Sequence, residues 1–182
     1  DEEPAVQELP SPVVLGRVEG RVTYEQVSFA YVSGQPVIED INLAVEPGEI
    51  VALVGPSGAG KTSIFRVLTT LLLPNEGNVS VGGLDVVKDY KEIRKMVGYM
   101  PGKFSLYQDL TVEENLNFFA SVFDTSIEEN YDLIKDIYVQ IEPFKDRRAG
   151  KLSGGMKQKL ALCCALIHKP EILFLDEPTT GV

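Results

Sequence analysis

Between Arg21 and Phe29 the apolar residues Val22, Tyr24 and Val27 fall among polar neighbours, the two-residue period of a half-buried strand. Val37–Val45 predicts a second strand, and Glu46-Pro47-Gly48-Glu49 after it is turn chemistry. A small antiparallel unit therefore leads into the unbroken apolar run Ile50-Val51-Ala52-Leu53-Val54, which predicts a buried strand. After Lys61 the period becomes helical through Ile64, Phe65, Val67, Leu68 and Leu71–Leu73, with Pro74 as the stop. Asn75-Glu76-Gly77 predicts a turn, Val79–Val81 a short strand and Gly82-Gly83 another turn. Glu92–Met96 predicts a helix and Val97–Met100 a short buried strand.

Two capping boxes follow. Thr111-Val112-Glu113-Glu114 opens a helix carrying Leu116, Phe118 and Phe119. Ser126-Ile127-Glu128-Glu129 opens another carrying Leu133, Ile134 and Ile137. Met156–Ile167 predicts an apolar helix ended by Pro170, and Ile172–Leu175 a buried strand running into Asp176-Glu177. The chain divides into an acidic, proline-bearing tail over 1–20, a β core over 21–98, a helical subdomain over 99–150, and a last helix and strand over 151–182.

With 44% hydrophobic and 24% charged residues in 182, the chain can build one domain with its own core. Its formal net charge of −10 is the wrong sign for a surface that coats nucleic acid. The two cysteines, Cys163 and Cys164, are adjacent in an apolar helical pattern and read as small buried hydrophobes in a reducing compartment. The sequence shows no signal peptide, and no segment approaches the 18 apolar residues of a membrane span.

The chemistry concentrates in Gly55-Pro56-Ser57-Gly58-Ala59-Gly60-Lys61-Thr62, which fits the P-loop pattern G-x-x-x-x-G-K-[ST] directly after an apolar run. Glycines let main-chain N–H groups turn inward as an anion nest, and the following helix adds the positive end of its dipole. Lys61 supplies a point charge for β- and γ-phosphates, Thr62 a hydroxyl for Mg²⁺, and Ser63 completes the cradle. Asp176, at the end of a buried strand, fits a second Mg²⁺ ligand, and Glu177 a residue that orients water for attack on a γ-phosphate. Leu152-Ser153-Gly154-Gly155-Met156 puts a serine cap and two glycines at a helix start, a further place for an anion. Alone, that stretch reads more readily as an ordinary serine cap with a glycine turn.

The order of these motifs from Gly20 to Val182 resembles the ATP-binding cassette (ABC) transporter ATPase domain. The resemblance implies an α/β fold: a P-loop NTPase sheet with helices on both faces, an antiparallel β subdomain and a helical subdomain. It implies ATP and Mg²⁺ as ligands, and Leu152–Met156 as the signature that closes over nucleotide bound to a second ATPase domain in a head-to-tail dimer. Tyr31 stands where the family stacks an aromatic ring on adenine. Asp109–Leu116 resembles the stretch that touches a membrane permease, and Arg147–Lys151 the basic run before the signature. Such a domain works in the cytoplasm at the inner membrane face, through its permease.

The chain departs from the family at Tyr99-Met100-Pro101-Gly102, where the family places glutamine at the last position. That contact is expected to be lost unless Lys103 or Gln108 replaces it. The sequence stops at Thr179-Thr180-Gly181-Val182, before the family's aspartate-bearing loop and switch histidine, and His168 lies too early to be that histidine. An incomplete ATPase domain that binds ATP with little turnover is therefore expected. Residues up to about Thr62 resemble an exporter with fused membrane regions, and the remainder a stand-alone export cassette, as a chimera would. The alternatives are a non-transport ABC ATPase, or a truncated or engineered P-loop fragment that only binds nucleotide.

Overall fold

The computed structural model describes residues 20–103 and 106–178; the tail expected before Gly20, Phe104, Ser105 and the last four residues lie outside the described residues. Strands β1 (Val22–Phe29) and β2 (Ile38–Val45) form the expected antiparallel hairpin, with Val22 opposite Val45 and Phe29 opposite Ile38. β3 (Glu76–Val81) pairs with the other edge of β1, and β4 (Leu84–Asp85) follows the Gly82-Gly83 turn, giving the order β2-β1-β3-β4. β3 begins three residues earlier than its apolar pattern predicts. The expected turn residues Glu76 and Gly77 are part of the strand, and Gly77 takes φ +82° against the Glu25 and Gln26 carbonyls. No side chain at position 77 would fit there, so the glycine marks a close strand approach rather than a turn.

Helix α1 spans Lys61–Leu68 and α2 Tyr90–Met96. α1 was expected to run to Leu73, but it ends at the Thr69 cap, and Thr70 turns to φ +60°. Arg94 on α2 holds that end, donating to Thr70 Oγ1 at 2.7 Å and to the Thr70 carbonyl at 3.0 Å. The last carbonyls of α1 are taken by the amides that follow, Thr69 on Phe65, Leu71 on Arg66 and Thr70 on Val67, so the helix closes before the proline.

β5 (Val97–Met100) and β6 (Ile172–Leu175) form a separate parallel pair. Alternation along β6 sends Ile172 and Phe174 into the core built from β1, β3, α1 and α2, while Leu173 and Leu175 pack on the helical core. Helices therefore cover both faces of this pair, as the α/β expectation required. The helical core is built by α3 (Val112–Val122), α4 (Ile127–Tyr138) and α5 (Gly154–Leu166). Leu116, Ile134 and Leu160 are fully buried in it, each worth about 1.5–3 kcal/mol. Both capping boxes form: Thr111 and Ser126 accept from the amides of Glu114 and Glu129, whose carboxylates reach back. Cys163 and Cys164 are buried in the same core, and desolvation pushes the Cys163 thiol up to about 12 and Cys164 well above its usual value. Neither is a reactive thiolate.

Ile50–Val54 is not a strand. Among the described residues no backbone hydrogen bond joins it to another segment; Ile50 is 101% and Val54 92% exposed. An apolar run becomes a strand only when neighbours accept its ladder, and no described strand flanks this one.

His168, just past α5, ties the two cores together. Its Nε2 lies 3.1 Å from the Val97 carbonyl and its ring stacks on Phe123, at the end of α3, at 3.9 Å. A carbonyl can only accept, so Nε2 carries the proton and Nδ1 is left buried without a partner. Burial lowers the His168 pKa. Arg94 lines the same cleft, so a second cation there is opposed. Because the folded state favours the neutral ring, its titration contributes nothing well above the unfolded pKa near 6.5 and destabilises progressively as pH falls below it. Between pH 7.5 and 5.5 the wild-type melting temperature should drop further than that of His168→Gln, which keeps a donor and cannot ionise. Equal drops in the two proteins would show that His168 does not titrate in this role.

Candidate functional site

The glycines of Gly55–Thr62 do the local work the motif predicts. Gly58 and Gly60 take φ +85° and +82°, and Ala59 donates to the Pro56 carbonyl at 3.2 Å, closing a tight turn. A Cβ on Gly60 would lie 2.7 Å from Ile38 Cγ2 and 2.9 Å from the Val37 carbonyl, so the loop is pressed against the start of β2. Lys61 Nζ arches back over the loop to the carbonyls of Gly55 and Pro56, each at 2.8 Å. α1 starts at Gly60 with no side-chain cap and no acidic residue in its first turn. α3, α4 and α5, by contrast, are each capped by their own Thr or Ser. The first amides of α1 are thus left for an outside acceptor.

Across the chain, β6 delivers Asp176 to the same place. Its amide continues the β5 pairing by donating to the Met100 carbonyl at 2.9 Å. Its side chain is 3% exposed, and Oδ2 accepts from Thr62 Oγ1 at 2.8 Å. Among the described residues no cation forms an ion pair with this buried carboxylate. Buried carboxylates are costly without one. A hydroxyl and a carboxylate side by side are hard oxygen donors of the kind Mg²⁺ takes, usually beside waters and phosphate oxygens. Glu177 follows at φ +52°, a region where non-glycine residues are rare. With Val37, Ser57, Gly58, Gly60, Lys61, Thr62 and Ser63 it lines a pocket of about 220 Å³.

Tyr31 stands at the edge of this group, 55% exposed, its ring edge-on to Phe29 at 4.8 Å. Its hydroxyl is 3.2 Å from Ser63 Oγ and accepts from Arg66 Nη1 at 3.4 Å. Gly102 adjoins Asp176: a Cβ there would lie 3.5 Å from Asp176 Oδ2 and from Glu177 Cβ. The position where a side chain would be missed is therefore at the site. Of the two suggested replacements, Gln108 donates instead to the Leu106 carbonyl, and Lys103 is exposed. Tyr99, on β5, has its hydroxyl pKa raised by burial and by the neighbouring Asp176 charge, with Arg66 pulling the other way.

Leu152–Met156 is not part of this group. Leu152 is buried in the helical core, Ser153 caps α5 by accepting from the Met156 amide at 3.3 Å, and none of the five lines the pocket. A Cβ on Gly155 would meet nothing within 4 Å, so the start of α5 faces open space. The basic run Arg147–Lys151 carries the backbone that braces α3: Val112 donates to the Arg147 carbonyl, and Arg147 stacks on Phe144 at 4.6 Å. Val37 and Arg66 were missed by sequence reasoning. Val37 carries no local signal, because it reaches the pocket only through the hairpin. Arg66 could have been found from its spacing, three residues after Ser63 on one helix face.

The family model described as ABC transporter matches residues 38–180. The chain is 43% identical over 150 residues to the probable multidrug ABC transporter ATP-binding protein YbhF of Escherichia coli, covering 81% of this chain and 26% of that protein. It is 38% identical over 148 residues to the ABC transporter ATP-binding protein NatA of Bacillus subtilis, covering 80% and 60%. The chain thus spans a quarter to three fifths of the length of these relatives. Among solved structures it is similar to an ATP-binding subunit of an ABC transporter, at TM-score 0.77 and 30% identity over 88% of this chain and 67% of that one. A bacterial Atm1-family ABC exporter with ATP bound superposes at TM-score 0.82 and 28% identity, covering 97% of this chain and 32% of that one. A dimeric ATP-binding cassette bound to ADP and Pi superposes at 0.79 and 27%, covering 88% and 75%. Motif order, the helix-flanked parallel pair and these likenesses agree: the chain belongs to the ABC transporter family, and its fold is that of the family's ATPase domain.

Proposed function

We propose that this chain binds Mg-ATP between Gly55–Ser63 and Asp176-Glu177 as the ATP-binding part of an ABC transporter. The Thr62 to Asp176 hydrogen bond carries the reading, because it joins the helix that opens the phosphate nest to the strand that ends in two carboxylates. In this reading the α1 amides and Lys61 take the β- and γ-phosphates, Lys61 exchanging two loop carbonyls for phosphate oxygens. Mg²⁺, held by Thr62 and Asp176, would neutralise charge on those phosphates. Glu177 orients water, and Tyr31 offers its exposed ring to the adenine.

The open space at Gly155, and the absence of Ser153, Gly154 and Gly155 from this chain's own pocket lining, support a partner role in which they close over nucleotide held by a second ATPase domain. The permease would meet the helical side near Asp109–Leu116, where exposed Tyr107 packs edge-on against Phe118 at 4.7 Å. No helix among the described residues is long and apolar enough to cross a membrane. The proposed place of work, the cytoplasmic face, thus depends on that permease.

Mg-ATP at about 100 times its Kd should stabilise the chain by about 2.7 kcal/mol, read as a rise in melting temperature. Lys61→Ala should abolish the rise. An unchanged melting curve at millimolar Mg-ATP would overturn the reading. Asp176→Asn should weaken ATP about tenfold or more when Mg²⁺ is present and about twofold or less in excess chelator. Equal losses under both conditions would remove Asp176 from the metal.

A further inference from the structure

Tyr31 sits in a loop between β1 and β2, where an exposed aromatic ring is free to adopt several rotamers. Here its orientation is tied down from three sides. Phe29 meets it edge-on, Ser63 Oγ reaches its hydroxyl from α1, and Arg66, one turn further along α1, donates to the same oxygen. Ser63 and Arg66 are three residues apart and share a helix face. Arg66 is itself exposed and forms no ion pair among the described residues. It donates a side-chain hydrogen bond to Tyr31, and it also acts on the Tyr99 hydroxyl of β5 through its charge and a side-chain hydrogen bond.

We propose that Arg66, acting with Ser63 through the Tyr31 hydroxyl, is a positioning residue for the adenine end of the nucleotide. The inference rests on the Mg-ATP reading above and adds to it. The P-loop and Asp176 grip the phosphates, while α1 also reaches the base by fixing the ring on which the base stacks. Helix α1 thereby sets both ends of one ligand: its first turn the phosphates, its second turn the aromatic platform. Fixing the ring in advance lowers the ordering cost that binding would otherwise meet.

Inorganic tripolyphosphate separates the two ends, because it carries the phosphates without the base. Kd values for Mg-ATP and Mg-tripolyphosphate should be measured by calorimetry for the 182-residue chain, Arg66→Met, Tyr31→Phe and the double variant. Tyr31→Phe keeps the ring, removes the anchored hydroxyl and guards against a folding defect in Arg66→Met. Each single variant should weaken Mg-ATP about 3- to 10-fold, the scale of one ordinary net hydrogen bond, and leave tripolyphosphate within about twofold. The double variant should be no weaker than the worse single one, since both remove one interaction. An unchanged ratio of the two Kd values in Arg66→Met, or equal losses for both ligands, overturns the proposal while the Mg-ATP reading stands. A wild-type chain that binds tripolyphosphate as tightly as ATP also overturns it. Failure of the wild-type chain to bind either ligand overturns the Mg-ATP reading itself.

Discussion

The hydrogen bond from Thr62 to Asp176 spans 114 positions of sequence and is the joint on which the site depends. Each partner reaches it by a different structural logic. Thr62 is placed by the turn of glycines that starts α1, and Asp176 by the register of β6 on β5. A buried carboxylate whose described side-chain donor is a neutral hydroxyl is the kind of group that a cation would compensate. Two hard oxygen donors side by side are the chemistry on which the Mg-ATP proposal rests.

The joint holds only while β5 and β6 stay in register, and that register is set by packing on two faces at once. Phe174 belongs to the β core and Leu173 and Leu175 to the helical core, so a one-residue slip would exchange all three. α5 presses close on β5: a Cβ on Gly98 would lie 2.4 Å from the Ala165 carbonyl. His168 adds a polar tie between the same elements. The helical side thus packs directly against the strand pair that carries Asp176.

Features with local causes were legible in the sequence. Both capping boxes, the β1–β2 hairpin, the glycine turn before α1 and the short strands β5 and β6 formed where their residues predicted. Features decided by distant neighbours were not. α1 stops early where Thr70 turns to φ +60°, a turn that Arg94 holds from another helix. β3 starts early because Glu25 and Gln26 offer a backbone that only glycine can approach. Val37 reaches the pocket through strand pairing, and nothing in its own neighbourhood announces that. Resemblance supplied roles for Tyr31, Gly102 and Leu152–Met156 that composition and spacing alone do not carry.

The contrast between Ile50–Val54 and the loop that follows shows how separable these two kinds of cause are. The apolar run has no described ladder partner and stays largely exposed, so its strand character is entirely a loan from neighbours. Gly55–Thr62 nevertheless keeps its turn. Ala59 bonds Pro56, Lys61 bonds two loop carbonyls, and Gly60 lies against Ile38 and Val37 of the hairpin. The glycine loop therefore draws its shape from contacts within itself, from β2 and from α1. Thr62 reaches Asp176 without any help from the run that precedes the loop.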